Sequence, residues 1–110
     1  MSWEVEYLPE AAKDLARLAN DQKRLIFKAI DKVRQNPLPQ SEGGYGKPLG
    51  NKRGNDLTSF LKIKLRGAGI RVVYKLIRTK TQMLIVVVGV REDNEVYEIA
   101  QKRIRKNDLS

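Results

Sequence analysis

Phe60-Leu61-Lys62-Ile63-Lys64-Leu65-Arg66-Gly67-Ala68-Gly69-Ile70-Arg71-Val72-Val73-Tyr74 is the stretch that decides the fold. Before the glycine step, Leu61, Ile63 and Leu65 alternate with Lys62, Lys64 and Arg66. Successive side chains of a strand point to opposite faces, so Leu57 to Arg66 reads as a strand with one apolar and one basic face. Gly67-Ala68-Gly69 supplies the positive φ angles of a tight reversal. The alternation then resumes over Ile70 to Arg78, with Ile70, Val72, Tyr74 and Leu76 on one face and Arg71, Val73 and Lys75 on the other. After a turn at Thr79-Lys80-Thr81, Met83 to Val90 is almost wholly apolar, the mark of a strand buried on both faces.

The rest of the chain supplies what this meander packs against. Trp3 to Tyr7 alternates as a half-buried first strand. Pro9 and Glu10 suit the first turn of a helix whose stripe is Leu8, Ala11, Ala12, Leu15, Leu18 and Ala19. Asn20 is placed as the N-cap of a second helix, striped by Ile26, Ala29, Ile30 and Val33 and ended by Asn36-Pro37. A connection of a residue or two makes the pair an antiparallel helical hairpin. Pro37 to Asp56, rich in Pro and Gly, reads as a long loop. Asp93 or Asn94 caps a short C-terminal helix with Val96, Ile99, Ala100 and Arg103 on one stripe. The expected architecture is α+β, one domain over residues 1–110. The helical hairpin covers one face of a four-stranded sheet, and the other face presents Lys62, Lys64, Arg66 and Arg71.

Charge narrows the function. The chain has 22 Lys and Arg against 13 Asp and Glu, a formal net charge of +9, with no Cys and no His. Disulfides, Cys nucleophiles and thiolate metal sites are excluded, as is any mechanism with a His base or ligand. Acid–base chemistry is left to Tyr, Lys, Arg and carboxylates. The N-terminus lacks the pattern of a signal peptide and no apolar run is long enough to span a bilayer, so a cytoplasmic protein without a membrane partner is expected.

Between Tyr45 and Lys80 lie ten basic residues, Lys47, Lys52, Arg53, Lys62, Lys64, Arg66, Arg71, Lys75, Arg78 and Lys80, with Asp56 the one acid. Like charges side by side on a pleated surface repel, so an anionic ligand explains them better than stability does. Phosphates fit, because Lys and Arg neutralise them and release counterions. For Lys75, Arg78 and Lys80, near a hairpin tip, a solvated face is the plainer explanation. Tyr45, in the loop, is suited to stacking on a base. Tyr74 alternates with core residues and reads as a core tyrosine. A core role is also the plain alternative for Tyr97.

The stretch Phe60 to Tyr74 resembles the central hairpin of the RelE-type toxins of the RelE/ParE superfamily. Val88-Gly89-Val90-Arg91-Glu92-Asp93-Asn94-Glu95-Val96-Tyr97 resembles their strand-to-helix end, and Lys47-Pro48-Leu49 the loop entering the hairpin. The resemblance implies a RelE-like fold with a curved, mainly antiparallel sheet. It implies a ribosome-dependent endoribonuclease, needing no metal or cofactor, that cuts messenger RNA in the A site of the 70S ribosome. The 2′-hydroxyl attacks the adjacent phosphate, giving a cyclic phosphate and a free 5′-hydroxyl. Lys62, Lys64, Arg71, Arg91 and Tyr97 match the family's functional residues. Lys47, Lys52, Arg53, Arg66 and Lys75 are the expected contacts to RNA or ribosome. A RelB-like antitoxin is implied, with operator DNA bound only through the toxin–antitoxin complex.

Chemistry gives these residues roles. Fixed cations stabilise the charge that builds on a five-coordinate phosphorus, and Arg71 adds bidentate contacts. A phenol, with an ordinary pKa of about 10, is a weak base, but adjacent cations favour its phenolate. Tyr97 is thus the expected general base on the 2′-hydroxyl, and Arg91 an electrostatic partner of the leaving oxygen. Asp93 departs from the pattern, standing where the best-known member carries a further arginine. The competing readings are a ParE-like inhibitor of DNA gyrase, whose relatives generally lack the Lys/Arg/Tyr set, and a nucleic-acid-binding module without catalysis.

Overall fold

A computed structural model describes residues 2–52, 55–90 and 93–109, and of residues 50–52, 55–58, 93 and 94 only the backbone. The elements run β1 (Glu4–Tyr7), α1 (Pro9–Ala16), α2 (Asn20–Val33), β2 (Lys47–Lys52), β3 (Asn55–Leu65), β4 (Ile70–Ile77), β5 (Gln82–Gly89) and α3 (Asp93–Lys106). They form one sheet of order β1-β5-β4-β3-β2, in which β1 pairs parallel with β5 and the other pairs are antiparallel. The fold class is the α+β arrangement expected.

The sheet has five strands rather than four. Lys47–Lys52, expected to be loop, pairs with β3 from Lys47 opposite Lys62 to Lys52 opposite Asn55. Its register shifts between Pro48 and Gly50. A proline and a shifted register are tolerated there because β2 is an edge strand. Leu49, 1% exposed, anchors it in the core.

The helices also differ in detail. α1 ends at Ala16, so Leu18 and Ala19 belong to the connection. Asn20 is the first residue of α2 and Ala19 its N-cap; Ala19 N–H donates to the Gln22 side chain at 3.1 Å, which serves an end that alanine cannot cap itself. Asp21 and Lys32 complement the dipole at the two ends.

The β3–β4 hairpin is as its sequence dictates. Gly69 takes φ 65 at the turn, and Leu61 lies opposite Tyr74, Ile63 opposite Val72 and Leu65 opposite Ile70. One face of the sheet meets the segment that follows α2, where the buried Tyr74 hydroxyl donates to the Pro37 carbonyl at 2.8 Å. Burial pushes this phenol above the ordinary tyrosine pKa. A Cβ on Gly46 would lie 2.5 Å from that hydroxyl and 2.5 Å from Leu61 Cδ2. Gly46→Ala is therefore expected to lower stability by about 1–3 kcal/mol through overpacking. The check is a lower urea midpoint at unchanged m; an unchanged midpoint would mean the loop does not close on Tyr74.

The other face carries Phe60, Lys62, Lys64, Arg71 and Val73, and α3 packs on it against β3, β4 and β5. This face was expected to stand open; α3 covers part of it because Val96, Tyr97, Ala100 and Ile104 make a buried stripe that needs a partner.

One side-chain pair closes the ladder. β1 accompanies β5 only as far as Tyr7 opposite Ile85, after which Leu8 N–H reaches the Ile85 carbonyl at 3.0 Å and the chain turns into α1. Val73 pairs with Val87 and Tyr74 with Ile85, which leaves Val86 as the extra residue of a bulge. Arg103 of α3 donates to the Val86 carbonyl at 3.0 Å, and Asp14 of α1 accepts the Val88 N–H at 3.0 Å. The same two side chains bond each other at 2.6 and 3.0 Å. An ion pair thus stands where the next residues of β1 would have been, and it ties α1, β5 and α3 together.

Candidate active site

Strand alternation puts Lys62 and Lys64 on the same face of β3, and hairpin register sets Arg71 of β4 directly opposite Lys64. The turn backbone helps hold the guanidinium, which donates to the Gly69 carbonyl at 3.2 Å. Lys64, Arg66 and Arg71 line one small cleft at the hairpin tip, of about 110 Å³. That space suits a phosphate-sized anion, and three cations border it.

Tyr97 reaches this face from α3. Its ring is 4% exposed and belongs to the core. Its hydroxyl is the polar tip, accepting a hydrogen bond from Lys62 Nζ at 3.1 Å, with the ammonium 5.7 Å from the ring centroid. The core alternative holds for the ring, and the hydroxyl meets Lys62. Lys47 lies opposite Lys62 across the β2–β3 pair.

Lys75 stands apart. It shares the face but lies opposite Phe60, over whose ring its ammonium sits at 5.4 Å, and it donates to the Leu109 carbonyl of the C-terminal tail. A cleft of about 650 Å³ is bordered by Lys75, Ile77, Arg78 and Leu109. It lies at the far end of β4 from Arg71 and touches none of Lys62, Lys64 or Tyr97. Arg78 is occupied by Glu42 through two bonds of 3.0 and 2.8 Å. That contact raises the arginine pKa and holds the Glu42 carboxyl below the usual carboxylate range. Arg53 and Arg91 lie outside the described residues, as do the side chains of Lys52 and Asp93.

Two features escaped the sequence reading. The Asp14–Arg103 pair joins residues 89 apart in the chain, and no local pattern announces it. Lys32 lies over the Tyr45 ring at 5.4 Å; its place near the end of α2, just before the glycine-rich loop, was the available hint.

No protein-family model matches the chain. Among curated proteins, the mRNA interferase toxin RelE of Escherichia coli K12 is 30% identical over 104 residues, 94% of this chain and 99% of that protein. The chain belongs to the RelE toxin family. The mRNA interferase RelE of Shigella flexneri matches to the same extent, 30% over 104 residues. Solved RelE structures share the fold. A mutant of E. coli RelE in the free state aligns with a TM-score of 0.71 at 29% identity, over 94% of this chain and 99% of that one. An E. coli RelE mutant in complex with a peptide of the antitoxin RelB aligns with a TM-score of 0.66 at 27% identity, over 91% and 95% of the two chains. Among the described residues, no helix of this RelE-type toxin is long and apolar enough to cross a membrane.

Proposed function

We propose that this protein is the toxin of a type II toxin–antitoxin system and cuts messenger RNA in the ribosomal A site. The observation that carries the reading is the Lys62 ammonium on the Tyr97 hydroxyl at 3.1 Å, on the same sheet face as the cross-strand pair Lys64–Arg71. A phosphodiester laid against Lys64, Arg66 and Arg71 has its non-bridging oxygens neutralised. As its phenolate, Tyr97 takes the proton of the adjacent 2′-hydroxyl, whose oxygen attacks the phosphorus. Lys62, which donates to the tyrosine oxygen, favours that phenolate before the transfer, and the charge that then builds on the phosphate oxygens is met by Lys64, Arg66 and Arg71. Arg91 is assigned an electrostatic role toward the leaving 5′-oxygen, being too weak an acid to protonate it readily, and solvent water supplies the proton that completes the hydroxyl. The products are a 2′,3′-cyclic phosphate and a 5′-hydroxyl. Every cation in this scheme is a lysine or arginine, so no metal is needed. Lys47, Lys52 and Arg53 extend the contact along RNA or ribosome; Lys75 joins only if the C-terminal tail releases it.

The partners follow from the same reading. The ribosome supplies the message in a fixed conformation, a cognate RelB-like antitoxin restrains the toxin, and operator DNA is met only through their complex. The site of action is the cytoplasm, where ribosomes are.

The test adds purified protein to ribosomes translating a defined message, to the naked message, and to gyrase with plasmid DNA. Cuts within the A-site codon that need the ribosome are expected. Intact message beside trapped, cleaved DNA would give the chain to the gyrase-inhibiting branch instead, and intact message with RNA retained would leave a binding module.

A further inference from the structure

Tyr45 is an exposed aromatic held in place by its loop. Its N–H donates to the Asn36 carbonyl at 2.9 Å, Asn36 Nδ2 donates to the Gly43 carbonyl at 3.2 Å, and Gly46 N–H donates to the Leu38 carbonyl at 2.9 Å. Gly44 N–H reaches the Pro39 carbonyl at 3.1 Å and Gln40 N–H the Gly46 carbonyl at 2.9 Å. Five hydrogen bonds thus fix a segment whose tyrosine remains 49% exposed. A ring carried on a fixed backbone and half in water gains little by burial there, and its use lies in what it can receive.

The ring borders a groove of about 230 Å³ with Lys32, Lys47, Lys62 and Lys64, and no carboxylate lines it. The groove forms because β2 begins at Lys47, opposite Lys62, so that Ile63 to Leu65 of β3 run on without a β2 neighbour. It therefore lies at the sheet edge and shares Lys62 and Lys64 with the candidate active site.

We infer that this groove is a subsite for one unstacked RNA nucleotide, its base stacked on Tyr45 and its phosphate held by Lys32 and Lys47. An aromatic face accepts any base, and flanking ammonium groups neutralise the backbone; together they make a sequence-tolerant single-strand site. The inference rests on the proposed RNA-cutting function. The nucleotide belongs either to the message or to ribosomal RNA, and both offer the same chemistry.

Tyr45→Ala and Tyr45→Phe proteins, matched to the parent by thermal midpoint, are titrated against two probes. One is a labelled single-stranded decaribonucleotide carrying 2′-O-methyl groups, which cannot be cut by 2′-hydroxyl attack; the other is vacant 70S ribosomes. Tyr45→Ala is expected to weaken one of them roughly tenfold, the scale of a single base–aromatic stack, while Tyr45→Phe binds as the parent does. Loss on the oligonucleotide assigns the groove to the message strand, and loss on ribosomes alone assigns it to ribosomal RNA. Parent-like binding by Tyr45→Ala in both titrations, no parent binding to either probe, or equal losses in Tyr45→Phe and Tyr45→Ala would overturn the subsite. Cleavage of an unmodified message is scored separately, so a protein that binds through Tyr45 but cuts nothing sinks the nuclease proposal alone.

Discussion

Tyr97→Phe lowers single-turnover cleavage of the A-site codon by about a hundredfold to ten-thousandfold, the range of a lost general base. The substitution removes one oxygen and leaves the ring, which is 4% exposed and packs with the core. Packing volume is conserved, so the fold survives. What is lost is the acceptor of the Lys62 bond at 3.1 Å, and with it the atom that takes the proton. Losing a hydrogen bond from a charged donor costs up to about 2 kcal/mol, and less where Lys62 regains water. Circular dichroism and ribosome affinity should therefore match the parent while the rate collapses. A variant that cuts at the parental rate would remove Tyr97 from the chemistry. One that loses ribosome binding in proportion would make it a binding residue.

Asp14→Ala is expected to be the most destabilising surface-proximal change in the chain. The carboxylate is 12% exposed and Arg103 17%, so neither charge is well solvated. Removing one leaves the other part-buried and uncompensated, a loss of about 2–3 kcal/mol, short of what a fully buried pair would lose. The Val88 N–H, which Asp14 accepts at 3.0 Å, would also lose its partner. Against a total stability of roughly 5–15 kcal/mol for a small domain, this is a large share. It should appear as a fall in Tm of roughly 10 °C. Asp14→Asn keeps an oxygen for Val88 and should fall between the two. Because Arg103 and Tyr97 sit on the same helix, Asp14→Ala also loosens the mounting of the phenol, and cleavage should drop below what the folded fraction explains. A Tm within a few degrees of the parent would show that the sheet edge closes without the pair.

The contrast between these two predictions shows what a sequence can disclose. The β3–β4 hairpin was legible because alternation is local: Leu61, Ile63 and Leu65 on one side and Lys62 and Lys64 on the other leave one register compatible with a buried face. The apolar run of β5 was legible for the same reason, and Met83 to Val88 are all buried. Strand β2 was not, because among its described side chains Leu49 alone is in the core and its pairing depends on a partner strand rather than on its own pattern. The Asp14–Arg103 pair was invisible because its partners stand 89 residues apart, on helices that no local pattern brings together. Tyr97 was singled out by its motif, but no periodicity tells whether a core ring also brings its hydroxyl to Lys62. The distinction lies in the atom, since this side chain has a buried body and a polar tip. Lys75 carries the opposite lesson: its place on the basic face was legible, and its engagement by the C-terminal tail was not.

Everything proposed for the reaction depends on a phenolate taking a proton from a sugar hydroxyl beside a phosphate that lysine and arginine hold. The nature of the cut ends reports this most directly. RNA recovered from ribosomes after a single round with the purified protein should carry 2′,3′-cyclic phosphate at the upstream fragment and hydroxyl at the downstream one. A 3′-hydroxyl paired with a 5′-phosphate would mean that water, not the neighbouring ribose, had attacked, and would contradict the account.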